Sequence, residues 1–267
     1  MCSAVTPACR AFSRNKPQLP GVPETVKLDG GKVLLLLAFV ALGVVGWDWP
    51  VFWPLKLLAV MGHETGHAFA ALLAGGSVSR VTIAGNESGE CLSAIPDSFF
   101  ARVLVYSAGY VGAALISVVL LLLTFRFDLR RFILGAACVW LLAMGLFYAR
   151  DAFTLSFCGG MAAAFGLGAR LLPASVVGGV NLFIASFTSL YAAMDLRDDL
   201  WNGAVRVHSD AQLLANITVV PAIVWAALWT VLSVGLLAVG IFLAMRRKGV
   251  ATDPGPRLPD QLLGRSR

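Results

Sequence analysis

The chain alternates long apolar runs with short polar breaks, and that pattern predicts most of its architecture. Residues 1–32 are polar and basic, with four prolines, and predict a flexible tail. Residues 33–46 are apolar and predict a short or tilted first span. The segment from Trp47 to Pro54 clusters three tryptophans with two prolines, which suits a turn at a membrane interface. A second apolar run covers 55–74 and stops at Gly75-Gly76. Residues 78–84 and 91–95 then predict two strands around the turn 85–89, a small β-hairpin. Further apolar runs cover 99–124, 132–149, 153–172, 174–194 and 213–245. The glycine-rich run 153–172 reads as a span or as a broken, re-entrant segment. Residues 246–267 form a polar, proline-bearing tail.

The run lengths predict an all-α polytopic membrane protein of six or seven transmembrane helices, with the hairpin directly after the second run. The domain plan is a basic tail (1–32), a transmembrane domain (33–245) and a polar tail (246–267). With both basic tails on the cytoplasmic side, the number of spans is even. Composition agrees. The chain is 58% hydrophobic and 13% charged, against about 25% charged in soluble domains. The net charge of +6 lies largely outside the apolar runs. It reads as topology-setting and lipid-facing charge, with no nucleic-acid partner expected. The five cysteines form no Cys-x-x-Cys pair, so neither a zinc ribbon nor a disulfide framework is indicated. The small residues Gly109, Gly112, Ala113 and Ala114 predict that the 99–124 helix packs closely on a neighbour, the second run.

The second run carries the candidate chemistry. It contains His63-Glu64-Thr65-Gly66-His67, and these are two of only three histidines in the chain. Residues four apart share a helix face, so His63 and His67 can point two imidazoles at one metal ion, with Glu64 beside them as a base for water. Ionisable groups within an apolar helix are costly unless something uses them. A catalytic zinc site needs a third protein ligand and leaves the fourth position open. Asp195, at the end of the 174–194 run, is the first candidate. Asp198 lies one turn later, with Asp199 beside it. Asp210 is an alternative, although Ser209-x-x-Gln212 also reads as a capping box, where an acid is favourable in any case. His208 adjoins the same cap. The same donors accept iron or cobalt.

Together these features resemble the M50 metallopeptidases, the site-2 protease class, and more closely their M50B-like branch. The resemblance rests on His63-Glu64-Thr65-Gly66-His67-Ala68, on Gly75-Gly76 with the hairpin, and on Ser107-Ala108-Gly109-Tyr110-Val111-Gly112. It rests also on Asp195-Leu196-Arg197-Asp198, Ser209-Asp210-Ala211 and the spaced Thr218, Pro221, Trp225 and Trp229. It implies one Zn2+ per chain, His63 and His67 as ligands, Glu64 as catalytic base, a late aspartate as third ligand, and a membrane-anchored protein substrate cut within the bilayer. The family pattern places glycine after that aspartate, whereas Asp195 is followed by Leu196. No PDZ-like insertion is apparent. The competing expectation is a non-catalytic relative, a metal-binding scaffold or transporter.

Overall fold

A computed structural model describes residues 27–201 and 209–247, with side chains described over 28–191, at Met194 and over 209–246. Helix α1 (Gly30–Val45) is capped by Asp29, whose carboxylate accepts from the Lys32 amide at 3.5 Å. It leads through Trp47 and a 3₁₀ turn at Pro50–Phe52 into α2 (Trp53–Leu73), with Pro54 in its first turn. The two form a pair bent by 118°. Trp49, ahead of Pro50, is extended (φ −77°, ψ 131°), and Pro50 brings no amide donor, so the two runs do not join as one rod.

Helix α2 ends in a Schellman turn. Gly75 has φ +82°, the Gly75 amide donates to the Leu72 carbonyl and the Gly76 amide to Ala71. Glycine meets the left-handed requirement without Cβ strain. The chain then enters the antiparallel hairpin, β1 (Ser77–Ile83) and β2 (Gly89–Ala94), paired as Val81 with Cys91 and Ile83 with Gly89. A register shift lies between Val78 and Arg80.

The remaining helices are α3 (Phe99–Phe125), α4 (Arg130–Ala143, continued by a π-helical turn to Tyr148), α5 (Ala152–Leu171) and α6 (Ala174–Trp201). They are followed by α7 (Asp210–Ile217) and α8 (Ala222–Met245). Among the described residues, five helices are long and apolar enough to cross a bilayer, or six if the bent pair counts as one span. The six-span form of the expectation therefore fits. The seventh is lost because α1 and α2 share one bent unit. The 153–172 run is one continuous helix, not a broken segment.

The last run corrects the sequence reading. Residues 213–245 are not one span. The chain is extended at Thr218, α7 ends there, and α8 starts only after Pro221. Proline denies the ladder a donor and excludes helical backbone at Val220, which fixes the break. The tails before residue 27 and after residue 247 lie outside the described residues.

Helices α2 and α3 pack closely, as the small residues predict. A Cβ at Gly66 would stand 2.5 Å from the Ala108 carbonyl oxygen. The hairpin lies along the stripe Lys56, Val60 and Glu64, each one turn from the next. Its tip is pinned there. The Trp53 indole N–H donates to the Gly85 carbonyl at 2.9 Å, and the Lys56 ammonium meets the Glu87 carboxylate at 3.0 Å. Lys56 is 6% exposed and also sits 4.7 Å from the centre of the Trp47 ring. On the outer side of β1, the Thr154 hydroxyl accepts from the Ile83 amide and donates to its carbonyl, completing both backbone groups.

Candidate metal centre

His63, Glu64 and His67 are each 8% exposed. Helix periodicity puts both imidazoles on the face of α2 that packs against α3. Gly109 of α3 lies directly on the His63 ring, close enough that any Cβ there would overlap its Cε1, Nε2 and Cδ2 atoms. Tyr110 meets the same ring edge to face, with centroids 4.6 Å apart, and stacks in turn on Trp229 of α8 at 5.1 Å.

His67 is oriented by the backbone. Its Nδ1 lies 2.7 Å from the Val105 carbonyl oxygen. A carbonyl only accepts, so Nδ1 carries the proton and donates, and Nε2 presents its lone pair. This is the usual way a metal-binding histidine is held in one tautomer.

The third member comes from α7. Ser209 caps that helix, its hydroxyl accepting from the Gln212 amide, and Asp210 follows in the first turn. Its Oδ2 stands 3.1 Å from His63 Nε2 and 3.0 Å from His67 Nε2, and the two Nε2 atoms are 2.9 Å apart. Helix α7 is held in place by Ala211 and Leu214, which are buried with Tyr110, Ala226 and Trp229 in one cluster. The same aromatic wall therefore supports His63 on one side and the helix of Asp210 on the other.

Three donors at these spacings fit a metal ion. Tetrahedral zinc with ligands at about 2.0–2.1 Å sets its donor atoms about 3.3–3.4 Å apart, and the fourth position stays open when only three come from the protein. The observed triangle is slightly tighter, and the set of two imidazoles and a carboxylate suits zinc. Among the described residues this is the one group of three or more His, Cys, Asp or Glu side chains with converging donor atoms.

Glu64 faces the hairpin. A Cβ at Gly89, the first residue of β2, would stand 2.5 Å from Glu64 Oε1 and 2.7 Å from the Val60 side chain. Only glycine lets the strand run this close to the carboxylate. Cys91 lies two residues further along β2. Burial, and then the nearby Glu64 charge, push its thiol up to about 12, so it stays protonated and unreactive near neutrality.

Of the sequence candidates, the structure thus brings together His63, Glu64, His67 and Asp210. Asp195, Asp198 and Asp199 fall on α6 and His208 beyond it, and their side chains lie outside the described residues. Sequence reasoning missed the Val105 carbonyl, Gly89 and the Lys56–Glu87 pair. A lysine inside an apolar run was the one available signal for the last of these.

A family model described as Peptidase M50B-like matches residues 35–240. No curated protein and no solved structure matches the chain.

Proposed function

Because the chain belongs to the M50B-like peptidase family, we propose that it is a zinc endopeptidase of the membrane, hydrolysing a peptide bond of a membrane-anchored protein. One observation carries this reading. Positions 147 residues apart in sequence, His63 and Asp210, converge with His67 on one point beside a buried glutamate.

His63, His67 and Asp210 would hold the ion, each through one atom. When bound, zinc acts as a Lewis acid on the carbonyl and lowers the pKa of coordinated water to about 7. Glu64 accepts the proton of the attacking water and returns it to the leaving amine. The Val105 carbonyl keeps the His67 proton on Nδ1 throughout. Buried α2–α3 packing on one side and the hairpin on the other limit access of bulk water. Thr154 occupies the outer edge of β1 at Ile83, which leaves the β2 edge, beside Glu64, to receive an extended substrate by strand addition.

The test is metal content by elemental analysis combined with cleavage of a membrane-anchored substrate. Wild type is expected to hold about one zinc per chain, by the usual stoichiometry of such sites. Asp210→Ala and His67→Ala lose the metal, Asp195→Ala keeps it, and Glu64→Gln keeps it without cleaving. Full metal occupancy in Asp210→Ala with loss in Asp195→Ala would move the third ligand to Asp195. No zinc in wild type after supply of the ion would refute the enzyme reading.

A further inference from the structure

The spaced Thr218, Pro221, Trp225 and Trp229 of the late sequence meet in one small knot between α7 and α8. Thr218 ends α7 with extended backbone, φ −125° and ψ 166°. Its hydroxyl has one proton and two lone pairs. The proton goes to the Leu214 carbonyl at 2.7 Å, in the last turn of α7. The lone pairs accept the Trp225 indole N–H at 3.2 Å and the Val220 amide at 3.3 Å. One hydroxyl therefore ties together the end of α7, the link and the first turn of α8. Pro221, just before α8, offers no amide that could compete. Val219, next to Thr218, is fully exposed, so the hydroxyl rather than packing at Val219 fixes the link.

The knot lies between the two halves of the metal centre. On the α8 side, Trp225 and Trp229 share a face one turn apart, with ring centroids 6.4 Å apart. Trp229 stacks on Tyr110, and Tyr110 meets the His63 ring edge to face. On the other side, α7 runs back from Thr218 to Asp210, whose Oδ2 reaches both His63 and His67. The Thr218 hydroxyl is thus joined to one donor through a row of aromatic rings and to another through the length of α7.

Helix α7 needs such a hold. It has eight residues, and helices shorter than about 12–15 residues are marginal without tertiary support. Of its side chains only Ala211 and Leu214 are buried. A helix of this length spans about 12 Å, so a turn of about 5° about its Thr218 end moves the Asp210 carboxylate by about 1 Å. Ligand distances in a metal site are held to within about 0.2 Å. The Ser209 cap satisfies the Gln212 amide at the opposite end, but it travels with the helix and does not fix its direction.

We propose that Thr218 and Trp225 are positioning residues of the metal centre. The bond from the Trp225 indole to the Thr218 hydroxyl sets the direction of α7 and so brings Asp210 to His63 and His67. This rests on the metal-binding part of the peptidase reading and not on cleavage.

The test uses the full chain in detergent. Zn2+ affinity is measured by competition with a chromogenic chelator, and Co2+ serves as the spectroscopic probe. Thr218→Val keeps the shape and removes the hydroxyl, Trp225→Phe removes only the indole N–H and part of the ring, and Thr218→Ser restores the hydroxyl. Thr218→Val and Trp225→Phe are expected to weaken Zn2+ binding by about 10–100-fold, the range for groups that orient a metal ligand. Their Co2+ visible absorption should fall, because water replaces the displaced carboxylate and four-coordinate Co2+ absorbs more strongly than higher-coordinate forms. Thr218→Ser should recover both. Ser117→Ala is the control for general loosening, since it breaks a buried hydrogen bond between α3 and α6, and it should keep wild-type Zn2+ affinity. Wild-type affinity and absorption in both Thr218→Val and Trp225→Phe would overturn the proposal, as would an equal loss in Ser117→Ala. If Thr218→Val does not fold, Trp225→Phe decides by the same criteria. If wild type takes up neither ion, the metal reading fails and amide exchange over residues 210–217 decides the clamp alone. Faster exchange in Trp225→Phe and Thr218→Val, reversed in Thr218→Ser, then supports it, and wild-type exchange overturns it.

Discussion

Replacing Gly109 with alanine adds one methyl group, and the structure says where it goes. The new carbon would press against the His63 ring well inside contact distance of Nε2, the atom directed at His67 and Asp210. Carbon atoms rest about 3.5–4.0 Å apart, so the ring must retreat by on the order of 1 Å or the helices must part. Overpacking of this kind costs about 1–3 kcal/mol, which a bundle of this size can survive. A metal ion held by His63, His67 and Asp210 would be less tolerant, since ligand distances are held to within about 0.2 Å. A displacement of about 1 Å in a catalytic group costs about 100-fold in rate. Gly109→Ala is therefore expected to fold, to bind zinc weakly and to lose cleavage by about that factor. Gly112→Ala is the matched control. Its Cβ would rest 3.6 Å from the Gly66 Cα, an ordinary contact, and it should keep both metal and activity. The measurements are thermal unfolding in detergent, metal content and cleavage rate for both variants. Wild-type zinc and wild-type cleavage in Gly109→Ala would refute the placement of His63 against α3.

Two further outcomes follow from the hairpin. Glu87→Gln leaves the buried Lys56 ammonium without its counter-charge, whereas Lys56→Met removes the charge and leaves a glutamate whose side chain is 34% exposed. Thermal unfolding should therefore show a larger loss for Glu87→Gln, on the order of 1–3 kcal/mol after allowance for partial solvent screening; equal losses would count against the pairing. Thr154→Val keeps the shape but strips both partners from Ile83. The cost of about 1–3 kcal/mol should appear as faster proteolysis or amide exchange in residues 77–94, with the helices unaffected.

Much of this fold could be read from local signals. The Gly75-Gly76 stop, the alternation over 78–84 and the turn at 85–89 each act within a few residues, and the hairpin appeared where they placed it. The small residues around Gly109 announced close packing for the same reason. The bend between α1 and α2 was harder. Both runs are apolar, and only the three-dimensional path shows that they form one unit. The break at 218–221 was written in Pro221 but was outweighed by the apolar residues on either side. Asp210 was the hardest. An acid after Ser209 satisfies a helix N-terminus by itself, so nothing local distinguishes a cap from a donor for two distant histidines. Their meeting depends on Tyr110 and Trp229 packing α7 against α3, which is a tertiary event.

The separation of α7 from α8 at Pro221 has a consequence for biosynthesis. Two donors are ready once α2 has formed, but the third is encoded 147 residues later and sits on its own short helix. At about 5–20 residues per second, a ribosome needs roughly 7–30 s to travel that distance. During that interval the nascent chain holds an incomplete triangle, and Glu64 has no completed partner set. Asp210 thus reaches the two histidines only after α1 to α6 have been synthesised, and α8, whose Trp229 backs Tyr110, follows it.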